Sequence, residues 1–146
     1  MAAYFSTDLT GSANQTTVPV GFKPAATVVG ARLKRLRGSF TYNTQTTSDT
    51  LIVGNLPAGA TFAFGSITTS ASTSTATLAV GVTGSTGKYK AAGAVTTTDQ
   101  PQLFGLASAV ALSPLSAEEQ VFVTIGTASL PASGTLVVDL FYSLPN

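Results

Sequence analysis

The amino-acid sequence predicts an all-β protein, a single-domain antiparallel β-sandwich of jelly-roll-like form. Three observations point there. Apolar and polar residues alternate at period two in several short runs, the pattern of strands with one buried face. Gly and Pro punctuate those runs at the spacing of a sandwich or barrel. No stretch of helical periodicity separates them, so the crossover helices that a parallel sheet needs are missing.

Residues 1–30, with scattered apolar residues, Pro19 and Pro24, read as an N-terminal arm that orders on a neighbouring subunit or as the first strands, one of them near Gln15–Val20. Residues 31–146 form the sandwich core, one domain overall. Ala31–Asn43 is its first strand. Thr50–Asn55 and Ala60–Thr68 read as a strand pair joined by the turn Leu56-Pro57-Ala58-Gly59. Phe62 and Phe64 face the core there, because aromatic side chains bury the largest areas. The Ser/Thr-rich run Thr68–Thr77 is an exposed loop leading into Thr75–Thr83, where Leu78, Val80 and Val82 alternate with Thr77, Ala79 and Gly81. A further strand falls in Lys88–Thr97.

Ser113–Gln120 predicts a helical turn, with Ser116 as N-cap and Glu119 at N3 completing a capping box. Gln120–Thr127 directs Val121, Val123 and Ile125 inward. In Thr135–Ser143, Leu136, Val138, Leu140 and Tyr142 point one way and Thr135, Val137, Asp139 and Phe141 the other. Asp139 marks that second face as the one nearer water or a polar interface. The expected core is therefore Leu51, Val53, Phe62, Phe64, Leu78, Val80, Val121, Val123, Ile125, Leu136, Val138 and Leu140.

A chain of 146 residues fits one domain. Its 44% hydrophobic content excludes a disordered chain. Charged residues are 9% of the total, against about 25% in an ordinary soluble domain. So few charges leave little to oppose association, which points to an assembly subunit. The net charge of +1 supplies no field for nucleic acid or an anionic membrane. No Cys is present, hence no disulfide, and no His, the usual general base near neutral pH and the commonest metal ligand. No stretch approaches the roughly 20 apolar residues of a membrane span. Met1–Asp8 lacks the basic and apolar regions of a secretory signal, so synthesis in the cytoplasm without a signal peptide is expected.

The densest charge is Arg32, Lys34, Arg35 and Arg37, the candidate protein interface. The competing reading is a solvated strand face whose cations block edge-to-edge pairing. Nucleic acid is disfavoured by the low net charge and by the absence of aromatic residues between the cations. Glu118-Glu119 is the single adjacent carboxylate pair; neighbours in sequence diverge and make no glycosidase-type pair by themselves. Leu130-Pro-Ala-Ser-Gly134 resembles the sortase pattern Leu-Pro-x-Thr-Gly, but no apolar span or basic tail follows it, so it reads as a turn. Asn14-Gln15-Thr16 is a glycosylation sequon with no secretory signal to make use of it. Neither enzyme activity, nor cofactor, nor metal is expected.

The basic strand Ala31–Gly38 is followed by Asp49-Thr-Leu-Ile-Val-Gly-Asn-Leu-Pro-Ala-Gly59, Thr86-Gly-Lys-Tyr-Lys-Ala-Ala92, Pro101-Gln-Leu-Phe-Gly105, Leu115-Ser-Ala-Glu-Glu119 and Ser133-Gly-Thr-Leu-Val-Val-Asp-Leu-Phe-Tyr142. In these segments, in this order over residues 30–143, the sequence resembles a family of small virion proteins of tailed bacteriophages and prophages. The resemblance implies a capsid decoration, or cement, protein: a β-rich homotrimer on the capsid exterior, bound where major capsid protein subunits meet and stabilising the head. The alternative it leaves is a head-fibre, neck or tail component acting as a receptor- or glycan-binding module. No functional-residue motif accompanies the resemblance.

Overall fold

Residues 32–144 are described by the structure, a computed structural model. The arm or first strands at 1–30, the strand near Gln15–Val20 and the sequon at Asn14 lie outside the described residues. Alternating Val, Ile, Leu, Phe and Thr residues build eight strands: β1 Leu33–Thr41, β2 Thr50–Leu56, β3 Thr61–Thr69, β4 Thr77–Val82, β5 Ser85–Ala94, β6 Gln102–Phe104, β7 Glu119–Gly126 and β8 Thr135–Ser143. One helical turn, α1 Ala107–Val110, lies between β6 and β7.

The pairing is nested. β1 pairs with β8, β2 with β7, β3 with β6 and β4 with β5, all antiparallel. The chain is thus one long hairpin folded over on itself. Lateral pairing of β3 with β8 and of β4 with β7 joins the ribbons into two four-stranded sheets, β1-β8-β3-β6 and β2-β7-β4-β5. Two antiparallel sheets rolled up in this order form a jelly roll.

The expected β2–β3 hairpin is therefore corrected: the two strands lie in different sheets. Gly59, at a φ of 82°, permits the reversal, but Leu56 and Ala60 on either side of it are buried between the sheets. The backbone there pairs instead with Leu115, whose carbonyl accepts from Gly59 N at 2.7 Å and whose N–H donates to Ala60 O at 2.9 Å. β4–β5 is a true hairpin, turning at Thr83-Gly84 and folding back tightly over β4. A Cβ added at Gly81 would collide with the backbone of Ser85 and Thr86.

The strand faces follow the alternation. Leu78, Val80, Val121, Val123, Ile125, Leu136, Val138 and Leu140 are all sealed between the sheets, and Leu51, Val53 and Phe62 are buried with them. Phe64 is the exception. An irregularity in β3 between Phe62 and Phe64 turns Phe64 to the outer face, where it stacks on Phe141 at 4.6 Å between centroids. The core gains residues that alternation did not select: Tyr42, Leu56, Ile67, Tyr89 and Val95. The predicted helical turn at Ser113–Gln120 is also corrected. That segment is irregular up to β7, and the helical turn sits earlier, at Ala107–Val110, with no side-chain cap. Glu119 opens β7 and its carboxylate binds Lys88, so it closes no capping box.

Truncating a sealed leucine leaves a cavity that the sandwich cannot collapse. Leu140→Ala is expected to lower unfolding free energy by about 2–5 kcal/mol in urea denaturation, whereas Leu103→Ala, at a residue 73% exposed, leaves it unchanged.

The Tyr42 and Thr69 hydroxyls are both buried, and neither makes a well-formed hydrogen bond. Burial pushes the Tyr42 hydroxyl up to about 12, with Thr69 pulling weakly the other way. A raised folded-state value means stability that is intact below pH 10 and is lost as pH rises from 10 toward 12. Tyr42 alone is expected to cost on the order of 1 kcal/mol by pH 11. Tyr89 is raised as well, chiefly by burial. Denaturation at pH 8 and pH 11 should therefore show a loss that Tyr42→Phe reduces but does not abolish.

Candidate functional site

The cation-rich strand β1 lies at the edge of its sheet. Period-two alternation sends Leu36 and Phe40 against the core and Arg35 and Arg37 to the outer face. There the strand register sets Arg37 directly opposite Asp139 and Arg35 opposite Phe141. Arg37 Nε donates to Asp139 Oδ1 and its Nη2 to Oδ2, each at 2.7 Å. This planar two-bond pairing is the geometry in which a guanidinium binds a carboxylate most strongly. The Asp139 side chain is 8% exposed while that of Arg37 is 48% exposed, so the arginine roofs the carboxylate. The bond and the charge of Asp139 hold the Arg37 guanidinium more firmly protonated than usual. Asp139 does lie on the outer face, as the sequence implied, but it faces Arg37 and not open water.

The four candidate interface cations thus divide. Arg37 is committed to Asp139, and Arg35 lies at the limit of an ion pair with the same carboxylate, 4.0 Å away. The side chains of Arg32 and Lys34 are exposed and have no partner among the described residues. Both lie with Arg35 at the start of β1, Lys34 on the face of Leu36 and Arg35 on the opposite face.

A second polar cluster links β5 to the start of β7, on either side of β4. Lys88 Nζ donates to both Glu119 oxygens at 2.6 Å, and the Tyr89 hydroxyl donates to Oε2 at 2.9 Å. Lys88 Nζ also sits 5.4 Å from the centre of the Tyr89 ring, within range of a cation–π attraction. Sequence reasoning missed this cluster because Glu119 was placed on a helical turn. The β-alternation of Val121, Val123 and Ile125, extended two residues back, would have placed it on the inner face. Beside the cluster lies an open cavity of about 420 Å³ lined by Val82, Lys88, Leu106, Ala109 and Leu112, with Ser85 and Ser108 at its polar side. Lys90 is half-buried on the edge strand β5. Its ammonium donates to the carbonyls of Leu78 and Ala91, and burial lowers its pKa. A charge tucked in this way protects a sheet edge from pairing with another chain.

Glu118 and Glu119 diverge: Glu118 accepts from Asn55 Nδ2 at 2.7 Å. Leu130–Gly134 forms the turn into β8, with Leu130 buried and its N–H bonded to Gln45 O. Among the described residues no group of three or more acidic side chains gathers where a metal ion could be held, and no helix is long and apolar enough to cross a membrane. What the arrangement offers chemically is surface: cations at a strand end, and an apolar cavity whose one cation is already neutralised.

No protein-family model matches the chain, and no curated protein matches its sequence. Solved structures do match. The fold is that of phage capsid chains. A chain of the cyanophage Pam1 capsid asymmetric unit is similar over 99% of this chain and 100% of its own, with a TM-score of 0.67 and 22% identity. A chain of the Ralstonia phage GP4 capsid is similar over 79% of this chain and 86% of its own, with a TM-score of 0.63 and 19% identity. A chain of the acid-stable capsid of Helicobacter pylori bacteriophage KHP30 is similar over 78% and 89%, with a TM-score of 0.53 and 15% identity. The jelly roll survives at identities where little of the sequence does, as expected of a fold fixed by alternation and pairing order.

Because Asp139 is covered by Arg37, removing that arginine strands a buried carboxylate. Arg37→Ser is expected to lower the thermal midpoint clearly, while Arg35→Ser, at an ion pair of limiting length, leaves it nearly unchanged. A double-mutant cycle of Arg37 and Asp139 should return a favourable coupling, and a zero coupling would contradict the pairing.

Proposed function

We propose that the protein is a capsid decoration, or cement, protein, which binds the outer surface of a phage head as a homotrimer and stabilises the shell of major capsid protein. The observation that supports this most is the jelly roll shared, over nearly its whole length, with a chain of a phage capsid asymmetric unit. Composition agrees, since 9% charged residues suit a chain that spends its life against other subunits. A chain at this position works by mass action: it binds the assembled shell and not the dissociated subunits, stabilising each site by RT ln(1 + [L]/Kd). Arg32, Lys34 and Arg35 form the polar part of the contact, and Arg37 supports it from within the sheet through Asp139.

Two measurements test the reading. Light scattering of the purified protein should return the mass of a trimer. Co-sedimentation with undecorated shells of the phage that encodes the protein should show saturable binding, with shells more resistant to heat. Replacing Arg32, Lys34 and Arg35 with Ser is expected to leave the fold intact, slow association and flatten its salt dependence, because long-range attraction acts mainly on the encounter rate. A stable monomer that binds no shell under any condition would overturn the decoration role in favour of a receptor- or glycan-binding module.

A further inference from the structure

Resting on that reading, we propose that the protein docks end-on, through the end of the sandwich that holds α1 and the start of β1. The cavity there receives an apolar side chain of an acidic partner surface.

Strand register defines the two ends. Leu33 of β1 lies opposite Ser143 of β8, which lies opposite Thr61 of β3. This end, the base, therefore also holds the β2–β3 and β4–β5 turns and the connection 105–118. Bonds from Gly59 N to Leu115 O and from Leu106 N to Tyr89 O tie that connection down. The opposite end, the apex, is made of loops 42–49, 70–76, 95–101 and 127–134. These loops are stitched to one another and to the strand ends, by Tyr42 N to Gly134 O, Thr73 N to Val95 O and Leu130 N to Gln45 O among others.

The two ends differ in kind. Of the large apolar residues left exposed among the described residues, Leu33, Leu106, Val110 and Leu112 lie at the base, Ile52 and Leu103 lie on strands, and none lies in the apex loops. Charge divides the same way. Arg32, Lys34, Arg35 and Lys88 stand at the base against two carboxylates, Glu118, which is bonded to Asn55, and Glu119, which is paired with Lys88. The apex carries Asp49 and Asp99 and no cation. The base is thus a positive, apolar-patched face on an otherwise weakly charged molecule, and it fits a partner surface of net negative charge. The strand order puts its parts at opposite edges of one sheet, β1 at one side and β6, which leads into α1, at the other. Three strand spacings separate these edges, roughly 14 Å. The cavity opens on the α1 side. Its Lys88 is held by Glu119, so it offers no free charge to an anion, and its walls of Val82, Leu106, Ala109 and Leu112 suit an apolar anchor.

The absence of Cys permits a direct test. Single cysteines at exposed serines, Ser108→Cys at the base and Ser133→Cys at the apex, are each coupled to a maleimide polyethylene glycol on the full chain. Shell binding is then compared with Leu112→Asp and with Ile52→Asp as a strand-face control. The expected result is that polymer at residue 108 blocks binding, polymer at 133 leaves it unchanged, and Leu112→Asp weakens it about tenfold or more with the oligomer retained. Blocking from the apex but not the base would overturn end-on docking by this end. A Leu112→Asp chain whose oligomer falls apart would assign the cavity to a second copy and overturn it too. Soluble filaments of the unmodified chain, base to apex, would do the same. Failure of the unmodified chain to bind shells would count against the decoration role itself, so the two ideas fail separately.

Discussion

Pairing of β1 with β8, nine residue pairs running from Leu33 with Ser143 to Thr41 with Thr135, is the contact on which the remaining architecture depends. It brings together residues about a hundred positions apart, and once it forms, β2 with β7, β3 with β6 and β4 with β5 are the pairings left inside the closed loop. A slip of one residue would turn Leu136, Val138 and Leu140 to the solvent face. Hydrophobic burial opposes that slip, and so does Arg37, whose two bonds to Asp139 exist in one register. A contact between residues 102 apart in sequence is also costly to reach, since loop closure precedes any gain from it. Such non-local pairing makes for slow folding.

With charge scarce, the ionic groups that do have partners serve visible tasks. Arg37 and Asp139 pin the central strand pairing, Lys88 and Glu119 link β5 to the start of β7, and Lys90 shields the β5 edge by folding onto carbonyls. The surface is finished instead with Thr and Ser, which hydrate, and with Ala, none of which repels a neighbour by charge. A molecule built this way keeps little electrostatic guard against its own kind. Edge devices oppose pairing of its sheets with another chain: the irregularities in β4–β5, the tight return over Gly81 and the buried stem of Lys90.

Much of this was legible in the sequence, because alternation in β4, β7 and β8 reports directly which side chains face the other sheet. Eleven of the twelve expected core residues are buried. One failure comes from period two itself, which describes a regular strand and says nothing of where the ladder breaks. A single irregularity after Phe62 inverted Phe64. The β2–β3 turn looked like a hairpin, since Pro57 and Gly59 serve a change of sheet as well as a return within one. β6 is three residues long, too short to show alternation. Tyr42 and Tyr89 gave no core signal because their polar ends disguise rings that are buried. As for the candidate cations, sequence placed all four on one strand, but the commitment of Arg37 to Asp139 depends on register across a hundred residues, which no local pattern encodes.

For a decoration protein of the kind proposed, modest chemistry at each contact is enough. Occupancy at about a hundred times Kd adds roughly 2.7 kcal/mol at each site, and a shell repeats the site many times over. Extreme affinity per copy is then unnecessary, and so is a large set of ion pairs. What such a chain needs is a rigid body that presents the same face at every site, because ordering loops on binding would subtract from each contact. The jelly roll supplies this rigidity by stitching its apex loops to one another and by sealing its core at nearly every inward position. A face offering apolar area with a few cations beside it then divides the labour. Charge hastens the encounter, and burial holds the complex once formed. The sparse charge that first set this sequence apart from an ordinary soluble domain is, on this view, the surface chemistry of a subunit whose natural surroundings are other proteins.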